Sequence, residues 1–261
     1  MKLHRLFGLF IRYMYYFRKS WDRLSDAFYW PAIDVLVWGI TSAYVKKIAP
    51  DFPQIVLIIM SGLLLWLILW RAQYEISINL LEEFWNRNLI NIFVSPVKFS
   101  EWVLTVMLLG LVKAIFSLPF AAILAYLLYK FNIFLYGFYM IPFILILFMT
   151  GWAVGFFVSG LILRFGTKIQ TFAWTTIGLL SPLVAVYYPV SILPPAIQKI
   201  SYLLPPTYVF EAGRSLIFKG LIDTQGLVIS FILNIFYLIL SIWFLKLSFD
   251  KILNKGLIKP H

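Results

Sequence analysis

Apolar residues dominate six stretches, at 27–45, 54–71, 102–129, 135–163, 172–188 and 227–249, each bounded by charge, proline or glycine. Runs of this length and apolarity predict membrane-crossing helices, and hence an all-α membrane protein with six transmembrane helices. Stretches 102–129 and 135–163 exceed what a bilayer requires and are expected to tilt or to protrude. No period of tens of residues repeats, and no low-complexity linker sets off a second unit. One membrane domain is therefore expected over 1–261, with an interfacial helix at 1–26, a six-span core at 27–249 and a tail at 250–261.

Three segments outside these runs carry their own patterns. Near the N-terminus, Leu6, Phe10, Tyr13, Phe17 and Trp21 recur at three- and four-residue spacing, with Arg5, Arg12 and Lys19 on another face. That predicts an amphipathic helix lying in the membrane interface, its cations near anionic headgroups. Residues 75–96 form the second pattern. An apolar stripe of Leu80, Leu81, Phe84, Trp85, Leu89 and Ile92 opposes Glu82, Glu83, Arg87 and Asn88. Glu83 and Arg87 have the i,i+4 spacing that supports a solvated helix, and Ser95-Pro96 ends it, because a residue before proline avoids the α region. Such a helix either rests its stripe on lipid or offers a soluble partner something to grip.

The third segment, 187–214, holds five of the 13 prolines: Pro189, Pro194, Pro195, Pro205 and Pro206. Each lacks an N–H and has a fixed φ, so one continuous helix is not expected. Apolar residues continue between the breaks, which suits short half-helices turning back at one membrane face. Glu211 and Arg214 close the segment.

Composition narrows the class. The chain is 62% hydrophobic and 13% charged, which excludes an ordinary soluble domain. It has no cysteine, and its two histidines, His4 and His261, lie near opposite ends. Disulfides, thiolate metal sites and intramembrane imidazole chemistry are thus not expected. The net charge of +11 does not imply a nucleic-acid partner, because the basic residues flank apolar runs. With the N-terminus inside, 15 of the 22 Lys and Arg fall on the cytoplasmic side and six outside, with Lys113 in a span. Both termini are therefore expected in the cytoplasm and the proline-rich segment outside. Residues 1–25 alternate cations with aromatics and lack the apolar core of a cleaved signal peptide.

Asp34 is the clearest ionisable residue inside a span. A central carboxylate costs about 2.5–3.5 kcal/mol, enough to cancel most of the insertion free energy of its apolar neighbours. Asp34 is expected to face protein, water or a cation, with Lys113 one candidate partner; snorkelling to the interface is the stronger expectation for Lys113. Gly151 and Gly155 have the spacing that lets helices approach closely. Trp30, Trp70, Trp102 and Tyr188 are expected as interface anchors. The 164–168 turn, with Arg164 and Lys168, reads as a positively charged loop or a second contact for a partner. No phosphate loop, HExxH or GxSxG motif occurs, so no enzymatic activity is expected of this chain itself.

Together, the basic N-terminal helix leading into Phe28-Tyr29-Trp30-Pro31, the segment LLEEFWNRNLINIFVSPVKFSEW and the segment YYPVSILPPAIQKISYLLPPTYVFEAGR resemble the permease subunit of type-2 ABC exporters. The resemblance covers nearly the whole chain. It implies a homodimer in the prokaryotic plasma membrane, docked on two separate ATP-binding subunits that hold ATP and magnesium. This chain would hold no cofactor. It implies that Glu82, Glu83, Phe84, Trp85, Asn86, Arg87 and Asn88 belong to a cytoplasmic coupling helix over 82–91, assisted by Arg164 and Lys168. The extracellular hairpin, with Pro189, Pro194, Pro195, Pro205, Pro206, Glu211 and Arg214, would close the outer end. An amphiphile (a drug, a lipid or a lipid-linked glycan) would cross between the two copies. The competing readings are an ion-coupled secondary transporter using Asp34 and a polysaccharide-specific exporter permease.

Overall fold

The structure, a computed structural model, describes residues 2–49 and 54–255. Residues 256–261 of the expected tail lie outside the described residues. The chain is all-α. Helix α1 (Leu3–Lys19) is followed by α2 (Trp21–Ile48), α3 (Ile55–Trp85), α4 (Leu89–Val94) and α5 (Phe99–Tyr129). A 3₁₀ turn leads into α6 (Met140–Phe165), then come α7 (Phe172–Leu180), α8 (Pro195–Ser201), α9 (Pro205–Lys219) and α10 (Thr224–Lys255).

Among the described residues, four helical segments are long and apolar enough to cross a membrane: Ile55–Trp85, Phe99–Tyr129, Ile133–Ile169 and Thr224–Leu253. The expected six spans are therefore corrected to four. Two expected spans fall short for different reasons. The 27–45 run lies in the 28-residue α2, but Pro31, Asp34 and many aromatic and small residues dilute its apolarity. The 172–188 run is helical only to Leu180. Beyond it, Pro182 and Pro189 supply no N–H, and Ala185 adopts φ 54. The run thus lies beside α3 as a nine-residue helix followed by an irregular turn, tied there by Gln73 Nε2 donating to the Ala173 carbonyl at 3.1 Å.

Helix α3 is the axis of the molecule. Its apolar residues from Ile59 to Leu81 are almost all buried, and α2, α5, α6, α7 and α9 pack around it. α6 approaches it closely because Gly151 and Gly155 present no side chain. A Cβ at Gly151 would lie 2.8 Å from the Leu69 carbonyl oxygen, and one at Gly155 would lie 2.9 Å from the Ile76 Cβ. α10 rests on α6 at the periphery. Asn234, fully buried, accepts from Thr150 Oγ1 at 2.8 Å and donates to the Ile146 carbonyl at 3.1 Å, which fixes the register between the two helices. The other face of α10, with Ile232, Phe236, Ile239 and Trp243, is exposed, as suits a lipid-facing surface.

The 75–96 segment is also corrected. Residues 75–85 continue α3 as one 31-residue helix. The helix stops at Asn86, Arg87 turns the chain with φ 52, and α4 follows as six residues. There is no single helix over 82–91. The carboxylates that the pattern gave to solvent are taken up by cations from other helices, which extends α3 beyond its apolar run.

Candidate functional site

At the C-terminal end of α3, one stripe of the helix carries Arg71, Glu75, Asn79, Glu82 and Glu83 at three- and four-residue spacing. Here the structure concentrates its buried charge. Lys113 Nζ from α5 meets Glu75 Oε2 at 2.6 Å, and Arg71 meets Glu75 Oε1 at 3.1 Å. Lys113 is 1% exposed and Glu75 and Arg71 are about as deeply buried. Snorkelling of Lys113 is thus corrected: its stem runs into the bundle, and its ammonium lies 4.6 Å from the Phe17 ring centre. The Asp34–Lys113 pair is corrected too, because Glu75 is nearer. Asp34 is half-buried near Tyr187, with no ion pair among the described residues.

The network continues toward the tip of α3. Arg23 of α2 pairs with Glu82 and donates to Asn79 Oδ1 at 3.3 Å. Arg12 of α1 forks onto Glu83 at 2.8 and 2.9 Å, and Asn88 Nδ2 reaches the same carboxylate at 2.5 Å. The expected Glu83–Arg87 contact is replaced by these. α1 docks on α5 through Leu9, Tyr13 and Phe17, whereas Trp21, placed in the same stripe by the sequence, is 84% exposed because Ser20 breaks the helix before it. Trp102 donates from its indole to the Tyr13 hydroxyl at 3.3 Å and is buried, so it is a packing residue rather than an interface anchor. Burial, and after it the Glu83 carboxylate, raises the pKa of that hydroxyl, keeping it neutral. Of the other three expected anchors, Trp70 stacks on Tyr74.

The result is an exposed turn on a clamped base. Trp85, Asn86 and Arg87 are exposed, Phe84 and Asn88 are half-buried, and Glu82 and Glu83 below them are gripped by α2 and α1. The 164–170 turn lies alongside. Trp85 Nε1 donates to Gln170 Oε1 at 3.1 Å, so the two loops singled out in the sequence meet. Arg164 donates to Ser248 Oγ at 2.8 Å and covers the Phe244 ring, while Lys168 is exposed.

The proline segment sits at the opposite end of α3. Pro195 and Pro205 begin α8 and α9, where the missing N–H would be unpaired anyway, and Pro206 follows at the second position. Pro189 and Pro194 hold extended backbone before short helical turns. Glu211 and Arg214 of α9 form a clasp. Glu211 Oε1 accepts from the Val190 N–H at 2.8 Å and from Arg214 Nη2 at 2.7 Å. Arg214 Nη1 donates to the carbonyls of Ala185 and Val186 at 2.8 and 3.1 Å. The Val186 carbonyl in turn occupies the space left by the absent side chain of Gly62. Arg214→Met keeps the stem but strips both carbonyls of their donor, a loss of about 1–3 kcal/mol confined to this region. Hydrogen exchange is expected to accelerate at 183–190 and to stay unchanged in α3 and α6; unchanged exchange at 183–190 would remove the clasp.

Two cavities flank these elements. An apolar groove of about 540 Å³ runs between α6, α7, α9 and α10, with Thr150, Asn234 and Ser241 among its few polar residues. A polar and aromatic cleft of about 400 Å³ opens where α1, α2, α3 and α7 meet.

Sequence reasoning missed Arg23, Arg71, Glu75 and Asn79, and it gave Arg12 to lipid headgroups where the structure gives it to Glu83. The signal lay in the spacing of residues 71, 75, 79 and 82, a polar stripe on one helical face directly after the 54–71 run. No family profile matches the sequence, and no curated protein is similar to it. What fold and hydropathy establish is an all-α protein with several long apolar helices, of the kind found in multi-span membrane transport proteins.

Proposed function

We propose that this chain is the permease subunit of an ATP-driven type-2 ABC exporter, which moves an amphiphile out of the cytoplasm or the inner leaflet while a separate subunit hydrolyses ATP. The observation that carries the reading is the exposed turn at 85–87 on a base tied to α1, α2 and α5 by ion pairs. A load applied to that turn moves three helices together instead of bending its tip, as a coupling element requires. The neighbouring 164–170 turn widens the same surface, and the hairpin with its Glu211–Arg214 clasp forms the far gate. In this reading the turn faces the cytoplasm of a prokaryotic cell, together with α1 and the 164–170 turn, which the Arg12–Glu83 pair and the Trp85–Gln170 hydrogen bond hold at the same end of α3. Two copies enclose the path and two ATP-binding subunits drive it.

The test uses the purified chain in vesicles. Alone, it is expected to show no ATPase activity and no transport; with its ATP-binding subunit it is expected to show both. Arg87→Glu should lower ATP-dependent transport at least about tenfold, equivalent to about 1.4 kcal/mol of coupling, while the chain still elutes as a homodimer. Transport by the chain alone, without nucleotide, would refute the proposal.

A further inference from the structure

The cleft between α1, α2, α3 and α7 is unlike the rest of the molecule in charge. Cations outnumber acids 22 to 11 in the whole chain, yet this wall holds Asp22, Asp26 and Glu82 against the single cation Arg23. Arg23 is also committed: it pairs with Glu82, donates to Asn79 and lies 5.2 Å from the Tyr16 ring centre. Asp22 is exposed and Asp26 is half-buried beside the Tyr74 hydroxyl; neither forms an ion pair among the described residues. The cleft therefore presents uncompensated negative charge.

Its walls are aromatic. Trp85 and Trp174 stand nearly parallel with ring centres 6.2 Å apart, and Tyr29 and Trp30 meet edge to face at 5.3 Å. Trp30 and Trp85 are about half exposed, at 49% and 46%, so their faces are not consumed by internal packing. Aromatic faces attract cations through their quadrupoles, most strongly indole and most effectively for organic ammonium groups. The roughly 400 Å³ volume lies within the range of small-molecule sites. A bare metal ion does not fit, because no three carboxylates or imidazoles converge among the described residues.

We propose that this cleft binds a cationic aromatic amphiphile, its charge set against Asp22 and Asp26 and its rings against Trp30, Trp85 and Trp174. As the place where cargo is loaded, the cleft rests on the exporter reading; as a binding site, it does not. Carboxylates supply the selectivity for positive charge, and indoles the selectivity for an aromatic body over a solvated polyamine. The cleft also touches the coupling turn directly, since Trp85 and Asn86 belong to both. Occupancy is thereby set next to the surface on which the ATPase acts.

The full chain in maltoside micelles, without nucleotide or partner, is titrated with tetraphenylphosphonium and, separately, with tetraphenylborate, an anion of the same shape. Saturable quenching of tryptophan fluorescence is expected for the phosphonium, with affinity at least about tenfold above that for the borate. Asp22→Asn with Asp26→Asn should remove that preference, and Trp174→Leu should weaken phosphonium binding in a chain whose elution is unchanged. Equal affinity for the two ions, or a preference that survives the double Asn variant, would overturn the proposal. Displacement of the probe by an equal concentration of phosphocholine would also overturn it, because the cleft would then read a lipid headgroup. A chain that is driven by an ATPase yet ignores the phosphonium loses the cleft and keeps the exporter reading. Binding in a chain that never engages an ATPase does the reverse.

Discussion

Glu75→Gln is expected to destabilise the protein by about 3–5 kcal/mol, although the side chain keeps its size and shape. The change removes the one carboxylate shared by Arg71 and Lys113, which are 2% and 1% exposed. Burying an ion is unfavourable by several kcal/mol even after relaxation, and here the opposing charge at 2.6 and 3.1 Å is the main offset, with the Phe17 ring beside Lys113. Arg71 has little in reserve, since its Nε and Nη1 find no hydrogen-bond partner among the described residues. Lys113→Met in the Glu75→Gln background should recover part of the loss by removing one stranded charge. Reversible unfolding in mixed micelles gives both values. A loss below about 1 kcal/mol for Glu75→Gln would show that water reaches the triad and that the charges are not truly buried.

Gly151→Ala and Gly155→Ala are each expected to destabilise by about 1–3 kcal/mol, and more together. The added methyl at Gly151 meets backbone, the Leu69 carbonyl and the Gln73 nitrogen, which cannot swing aside as a side chain can. At Gly155 it meets Ile76 Cβ and the Gln73 carbonyl at 2.9 and 3.0 Å, so α6 must move away from α3. Helices in a bilayer gain no hydrophobic free energy by associating, and close packing is most of what holds them, so a small separation is expensive. Gly178→Ala, where the new methyl meets nothing within 4 Å, serves as the control and should change stability little. The same unfolding measurement decides; wild-type stability in the double variant would show that α3 and α6 slide without loss.

The two spacings differ in how much they revealed. Gly151 and Gly155 were visible as a close-packing pair, but their partner α3 was not, because glycine spacing names a face and never what lies against it. Arg71, Glu75, Asn79 and Glu82 share a helical stripe that reads as solvated amphipathicity when its cations are unknown. Lys113 shows the same limit: alone in an apolar run, snorkelling is its best solution, and only the Glu75 carboxylate on a neighbouring helix makes burial better. At the hairpin, the prolines marked where a continuous helix must break, yet the hold on Ala185 and Val186 comes from Arg214, nearly thirty residues later.

By itself the amino-acid order determined the class of the molecule. Long apolar runs and proline breaks act through local chemistry and need no knowledge of neighbours. The tertiary structure alone decided that the 172–188 run is helical only to Leu180, that α3 runs on to Trp85, and that the charges at its end are buried in pairs. Those outcomes turn on which helix supplies the counter-charge or the small residue at each contact. That is a property of pairs of segments far apart in the chain, and single-segment patterns do not encode it.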